Sequence, residues 1–169
     1  VRNEPDTGCF FYWTPEHIQK RFDYLKKDLK GTGDYGVIGF GAYTGQGLNR
    51  RDQNDNFHFA ARATYPYEFK NGQIIEAGVF GYTGRFVPRV ATNRGAGILV
   101  APEFNEKGYR DERIGLHAVL YPQPFGLQAE WNWGKSPQLS SDLTRIESGR
   151  IHGGYVQAMY KIDSIWGIW

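Results

Sequence analysis

The chain has 169 residues, and its 20 basic and 18 acidic side chains leave a formal net charge of +2. A charge this small and this evenly spread argues against a nucleic-acid-binding protein. The mean hydropathy is −0.56, and no segment approaches the run of about eighteen apolar residues that a membrane helix needs. A helical membrane protein is therefore excluded. A membrane β-barrel is not, because its strands expose only every second residue to lipid.

Glycine and aromatic residues are abundant, with 22 Gly, 11 Phe, 11 Tyr and 5 Trp. Aromatic side chains suit pleated sheets, and glycine allows tight turns and close approach of backbones, so the composition predicts an all-β fold. The single cysteine, Cys9, excludes an internal disulfide framework and a cysteine-based zinc site. The four histidines show no metal-ligand spacing, and neither a nucleophile elbow nor a phosphate loop is present. We therefore expect no enzyme, no metal and no cofactor.

One helix is predicted near the start of the chain. The segment opens with Thr14-Pro15-Glu16, which supplies an N-cap residue, a proline at the first helical position and an acid in the first turn. We predict an amphipathic helix from Pro15 to Lys30, within a helix-containing loop or insert that covers residues 1–33. Its apolar stripe fits packing on another element, and anchoring at a membrane surface is the alternative. The residues of this stripe recur at helical spacing: Ile18, Phe22, Leu25 and Leu29.

From Asp34 onward the hydrophobic period changes to two, which is the period of a strand. Asn71-Gly72 and Pro122-Gln123-Pro124 provide tight turns, and each turn joins two such segments into a hairpin. The glycine-rich segment 34–45 has apolar residues on both faces, so its orientation stays open. The predicted strands cover residues 34–45, 57–67, 73–84, 113–121, 125–134 and 150–162.

The connections between the predicted strands alternate in length. The two tight turns are minimal, whereas the connections at 47–56, 85–112 and 135–149 are long and polar. In an antiparallel up-and-down meander, the short turns then gather at one end and the long loops at the other. Transmembrane barrels show this asymmetry, with short periplasmic turns and long extracellular loops. A soluble β-sandwich is the alternative.

The most regular of the predicted strands, 57–67, 113–121 and 125–134, have one apolar face, and aromatic residues lie towards both ends of the strands. Strands of about nine to eleven residues match the length that a tilted strand needs to cross the hydrocarbon layer. Two aromatic bands separated by small and aliphatic residues are typical of interfacial girdles, although aromatic residues also pack the core of a soluble sandwich. We assign the lipid-facing girdle to Phe57, Tyr65, Tyr67, Trp131, Trp133 and Tyr160.

If the apolar faces contact lipid, the opposite faces line a lumen. Polar residues there need no protein partner, because water fills the pore. Arg62 and Lys161 would attract anions, whereas Glu130 would oppose them. Five arginines of the long connections form either a basic vestibule or an ordinary solvated surface: Arg50, Arg51, Arg85, Arg89 and Arg94. The predicted pore-lining residues are His58, Arg62, Thr64, His117, Gln128, Glu130, Asn132, Gln157 and Lys161.

Four motifs follow one another along the chain. The first runs from Gly41 to Asn49 and leads into the strand Ala60-Ala61-Arg62-Ala63. The others are Asp111-Glu112-Arg113-Ile114-Gly115, Phe125-Gly126-Leu127-Gln128-Ala129-Glu130-Trp131 and Gly153-Gly154-Tyr155-Val156-Gln157-Ala158-Met159-Tyr160. In their order and spacing, these motifs resemble the phosphate-selective porin O and P family.

This resemblance implies a bacterial outer-membrane β-barrel of about sixteen strands. Such barrels are usually trimeric and pass small anions, such as phosphate, or other small hydrophilic solutes by passive diffusion. Residues 34–169 would supply about six strands of one transmembrane barrel domain that is incomplete here. The implied partners are the lipid bilayer, lipopolysaccharide, small solutes and the other copies of a homotrimer, with no nucleic acid. Two alternatives stay open: a soluble carbohydrate-binding β-sandwich with Trp131 and Trp133 as sugar platforms, and a non-conducting structural barrel.

Overall fold

The computed structural model describes residues 7–28, 36–45, 54–88, 105, 107–142 and 144–162. Its strands form one antiparallel sheet in which every strand pairs with the next one in the chain, so the predicted up-and-down meander is confirmed. The sheet is open: within the described residues its first and last strands do not pair with each other. The elements are β1 (Gly8–Trp13), α1 (Glu16–Asp28), β2 (Ile38–Tyr43), β3 (His58–Glu68), β4 (Ile74–Phe86), β5 (Tyr109–Leu120), β6 (Phe125–Leu139) and β7 (Ile146–Tyr160).

The strand β1 is the element that the sequence patterns miss. It lies within residues 1–33, where we expected only a helix-containing loop or insert, and it makes the sheet seven strands instead of six. Its sequence, GCFFYW, is apolar on both faces and therefore shows no alternation. Pairing with β1 also fixes the orientation of β2, because Tyr12 lies opposite Gly39, and Gly39 lies opposite Arg62 on β3.

The connections differ from the prediction at two places. The predicted long loop at 135–149 is mostly strand, since β6 and β7 extend to a short connection at 140–145, where the Ser140 amide donates to the Arg145 carbonyl. Polar residues on both faces of these extensions hide the strand period. The second difference is the connection between β1 and β2, residues 14–37, which contains α1. This long connection lies at the end of the sheet that carries the tight turns 69–73 and 121–124.

The register divides the sheet into an apolar face and a polar face, because successive side chains of a strand point to opposite sides. The apolar face carries aromatic and aliphatic side chains from all seven strands, for example Phe11, Phe40, Phe59, Val79, Leu116, Leu127 and Val156. The polar face carries the charged and amide side chains of the middle strands, for example Arg62, Glu76, His117, Gln128, Glu130 and Asn132.

The buried core of the described residues is small and lies on the polar face. Ile18, Phe22 and Leu25 of α1 pack against Ile74 and Tyr121 at the tight-turn end of the sheet. The predicted helix is thus confirmed over Glu16–Asp28, and its apolar stripe packs on the sheet, while Leu29 and Lys30 of the prediction lie outside the described residues. None of the helical segments that the structure describes is long and apolar enough to cross a bilayer.

Candidate functional site

The residues predicted for the girdle lie together on the apolar face. Phe57 directly precedes β3, and the other five belong to strands whose register places them on this face. Some of their rings pair: Trp131 lies 6.4 Å from Trp133, and Tyr160 lies 4.8 Å from Phe125, both between ring centroids. All six are exposed: Phe57, Tyr65, Tyr67, Trp131, Trp133 and Tyr160.

The apolar face as a whole is open to its surroundings. Val156 is 78% exposed and Phe59 is 59% exposed, although both are large apolar side chains in the interior of strands. A water-soluble sheet buries such a face against a second layer, and among the described residues no element covers it. An exposed apolar face of this kind is typical of a surface that contacts lipid or another protein.

The residues predicted to line the pore lie on the polar face, with one exception at the edge. Lys161 follows the end of β7, and its amide donates to the Pro124 carbonyl beside a tight turn. His58 and Thr64 are buried, whereas the remaining ones are partly or fully exposed. The strands place on this face His58, Arg62, Thr64, His117, Gln128, Glu130, Asn132 and Gln157.

A buried carboxylate organises the polar face next to α1. Glu76, only 3% exposed, accepts a hydrogen bond of 2.6 Å from the Tyr121 hydroxyl and one of 3.1 Å from the Thr64 hydroxyl. Arg62 Nη2 lies 4.0 Å from the same carboxylate, and the Thr64 hydroxyl lies 3.2 Å from His117 Nε2. Burial, followed by the hydrogen bond to Glu76, raises the pKa of Tyr121 far above its ordinary value, so this turn residue stays a donor.

Replacing Glu76 tests this cluster. Glu76→Ala removes the acceptor of two buried hydroxyls, and we expect the free energy of unfolding to fall by about 1–3 kcal/mol. Glu147→Ala, at an exposed position of β7, is the matched control and should change it little. Urea titration of the protein folded in lipid vesicles measures both values. Equal stability of the two variants would contradict a structural role for the Glu76 cluster.

No pattern in the sequence connects Glu76 with Tyr121, because Tyr121 follows a strand and its contacts depend on α1. A second carboxylate, Glu130, lies on the same face, so a pair of glycosidase carboxylates has to be weighed here. The two carboxylates lie on the same face but on β4 and β6, with β5 between them, and Glu130 instead accepts a hydrogen bond of 2.8 Å from Asn132. The partners of both carboxylates are those of structural groups, not of a catalytic pair.

Further towards the long loops, the polar face carries side chains of both charges. The Tyr82 hydroxyl donates to Asp111 over 3.2 Å, and the guanidinium carbon of Arg113 lies 5.9 Å from the Tyr82 ring centroid. On β6 and β7, the Gln128 amide donates to the Tyr155 hydroxyl over 2.5 Å. The described polar face is therefore hydrophilic and of mixed charge.

A row of charged residues borders the apolar face at its long-loop end. Glu112 forms ion pairs with Arg110, at 3.5 Å, and with Lys135, at 3.8 Å. Arg150 lies opposite Lys135 in the register of β6 and β7. This row begins one step beyond Trp133 on the same face. Of the predicted vestibule, Arg85 donates to the Gly108 carbonyl over 2.9 Å. Arg50, Arg51, Arg89 and Arg94 lie outside the described residues.

The part of the chain that the structure describes holds no group of three or more potential metal ligands. Comparisons with known proteins gave one match. A sequence model of the family described as phosphate-selective porin O and P matches residues 16–169, which is almost the whole chain. No curated protein and no solved structure matches it.

Proposed function

The chain belongs to the phosphate-selective porin O and P family, whose members are outer-membrane porins and not enzymes, and we propose that its sheet forms part of the wall of a water-filled channel. The observation that carries the proposal is the contrast between the two faces. Exposed apolar side chains cover one face, while the opposite face holds Arg62, Glu76 and their neighbours. Lipid on one side and water on the other stabilise this arrangement.

Closure of the channel requires further strands at both edges of the sheet. β1 and β7 are edge strands, and unpaired backbone groups at a sheet edge are not tolerated in lipid. On the polar face, one groove of about 450 Å³ touches residues of six strands, β1 to β6. We propose a barrel of about sixteen strands that assembles as a homotrimer, as the family resemblance implies.

The charged row at the long-loop end supports one orientation in the membrane. Short turns of transmembrane barrels lie in the periplasm and long loops outside the cell. Arg110, Lys135 and Arg150, which border the apolar face, then lie at the level of the phosphate groups of lipopolysaccharide. Among the described residues, Glu112 is the one acid that pairs with any of these three cations, so the row keeps a positive charge that suits those phosphates.

In this orientation α1 lies inside the channel, at its periplasmic end. The helix packs on the polar face through Phe22 and its apolar stripe, and Arg21 Nη1 donates to the Pro66 carbonyl over 2.6 Å. The opposite side of α1 carries Glu16, Lys20, Asp23 and Lys27, all exposed. We propose that α1 narrows the lumen and presents these four charges to passing solutes.

We propose passive diffusion of small hydrophilic solutes, driven by their own gradient. On the described wall, the two cations Arg62 and Arg113 stand beside three acids, Glu76, Glu130 and Asp111, which supports a general hydrophilic pathway without a surplus of cations. A preference for anions such as phosphate needs a surplus of cations along the pathway. The arginines of the predicted vestibule would supply it.

Conductance under a salt gradient tests the proposed function. The native polypeptide, extracted with detergent from outer membranes, should give steady ohmic steps in a planar bilayer, and a reversal potential of the anion-selective sign would identify an anion channel. A protein that inserts but never conducts would support the second candidate, a structural barrel closed by α1. A protein that needs no detergent would overturn the membrane assignment and favour the carbohydrate-binding sandwich.

A further inference from the structure

Two aromatic rings on the polar face do not fit a wall that only holds water. Phe10 and Tyr12 of β1 are 45% and 46% exposed on the side that carries Arg62 and Glu130. Their ring planes are nearly parallel, at 7° to each other, with the centroids 6.3 Å apart. We call these two residues the ring pair. An exposed apolar surface of this kind, surrounded by polar groups, is characteristic of a binding site.

Glycines on the next strand hold the ring pair flat against the wall. A Cβ atom added to Gly39 would lie 2.8 Å from Tyr12 Cδ1, and one added to Gly41 would lie 2.8 Å from Phe10 Cγ. Each ring therefore occupies the space that a side chain of β2 would fill. One face of each ring rests on the backbone of β2, and the other face points away from the sheet.

Hydrogen-bonding groups lie across the groove from the ring pair. The groove that Phe10 and Tyr12 border is also lined by Arg62, His117 and Glu130. Phe80 and Tyr82 contribute two further rings on the neighbouring strand β4. The site thus combines flat aromatic faces with a cationic, an anionic and an imidazole group, all within one groove.

We propose that the ring pair binds the apolar face of a pyranose sugar, so that the channel contains a carbohydrate subsite. A pyranose has ring faces made of C–H groups and a rim of hydroxyls, which matches aromatic faces flanked by planar polar side chains. The electron-rich face of an aromatic ring does not attract a bare anion such as phosphate, so this subsite serves a neutral cyclic solute. The position of the site in a solute pathway rests on the proposed function.

Blocking of the ion current by maltotriose tests the subsite. In a planar bilayer, maltotriose should reduce the current of the native polypeptide in a saturable way, whereas sorbitol, which has hydroxyls but no ring, should not. Replacing both rings by alanine (F10A with Y12A) should raise the half-blocking concentration of maltotriose about tenfold, equivalent to about 1.4 kcal/mol. Tyr12→Phe keeps the ring face, so maltotriose should block the current of this variant nearly as well as that of the native protein.

Phe11→Ala is the matched control, because Phe11 lies between the ring pair in sequence but on the apolar face. It should leave the half-blocking concentration unchanged. Equal blocking of the double alanine variant and the native protein would overturn the proposal, and so would equal blocking by sorbitol. Resistance to denaturation in cold detergent identifies folded protein, so a variant that fails to fold is recognised before its current is compared.

Calorimetric titration of maltotriose into the detergent-solubilised protein separates this proposal from the proposed function. Sugar binding that depends on the ring pair, in a protein that does not conduct, would retain the subsite and overturn the channel. Conductance without any sugar binding would overturn the subsite alone. A protein that neither conducts nor binds the sugar would overturn both.

Discussion

Arginine at position 61 should prevent stable assembly in the outer membrane, whereas arginine at position 60 should not. Ala61 lies on the apolar face in the row of Phe40, and Ala60 lies on the polar face opposite Gly41 and Tyr82. An arginine that faces lipid near the bilayer midplane costs about 2–4 kcal/mol, while one that faces a water-filled lumen keeps its hydration. The two variants differ only in which face receives the same side chain.

The amount of heat-resistant folded protein in purified outer membranes measures this difference. Ala61→Arg should be depleted or absent, and Ala60→Arg should assemble at nearly the native level. Because Ala60 borders the groove on the polar face, its arginine should also shift the reversal potential towards anions. If both variants assembled equally, the apolar face would not contact lipid. If Ala60→Arg were depleted and Ala61→Arg assembled, the lipid-facing and lumen-facing assignments would have to be exchanged.

The faces of the middle strands follow from the sequence alone, because strict alternation over residues 57–67 and 113–121 fixes which side chains share a side. Alternation also places the girdle and pore-lining sets on opposite faces before any register is known. It fails for β1, since Phe10, Phe11 and Tyr12 give both faces the same character. The sequence of β2 nevertheless indicates a place for the ring pair. Gly39 and Gly41 occupy alternate positions on one face and leave space for large side chains of a neighbouring strand.

Contacts that depend on α1 are beyond sequence patterns. The spacing of Ile18, Phe22 and Leu25 predicts an apolar stripe, but it does not say which surface the stripe covers. In a soluble protein that surface would be the most hydrophobic one. Here α1 leaves the apolar face exposed and packs on the polar face, over Ile74 and Tyr121. If lipid covers the apolar face, as the proposed function requires, the ordinary rule of burial does not select the docking site of the helix.

Phe22→Ala should release α1 from the wall and raise the single-channel conductance. Phe22 is one of the largest fully buried side chains of the described residues, and truncating a buried phenylalanine to alanine costs about 3–5 kcal/mol. The remaining attachments include the Arg21 bond to the Pro66 carbonyl and its ion pair with Glu68 at 3.6 Å, which is partly exposed and weak. Arg21→Ala should therefore give a smaller increase of the same sign.

His17→Ala, on an exposed position of α1, is the control and should leave the conductance at the native value. Planar-bilayer recordings measure the conductance, and limited proteolysis from the periplasmic side reports whether α1 has become accessible. Faster cleavage within α1 together with larger current steps would identify the helix as the constriction. Faster cleavage with unchanged current steps would contradict this role of α1. If the helix narrows the lumen, its release must increase the conductance.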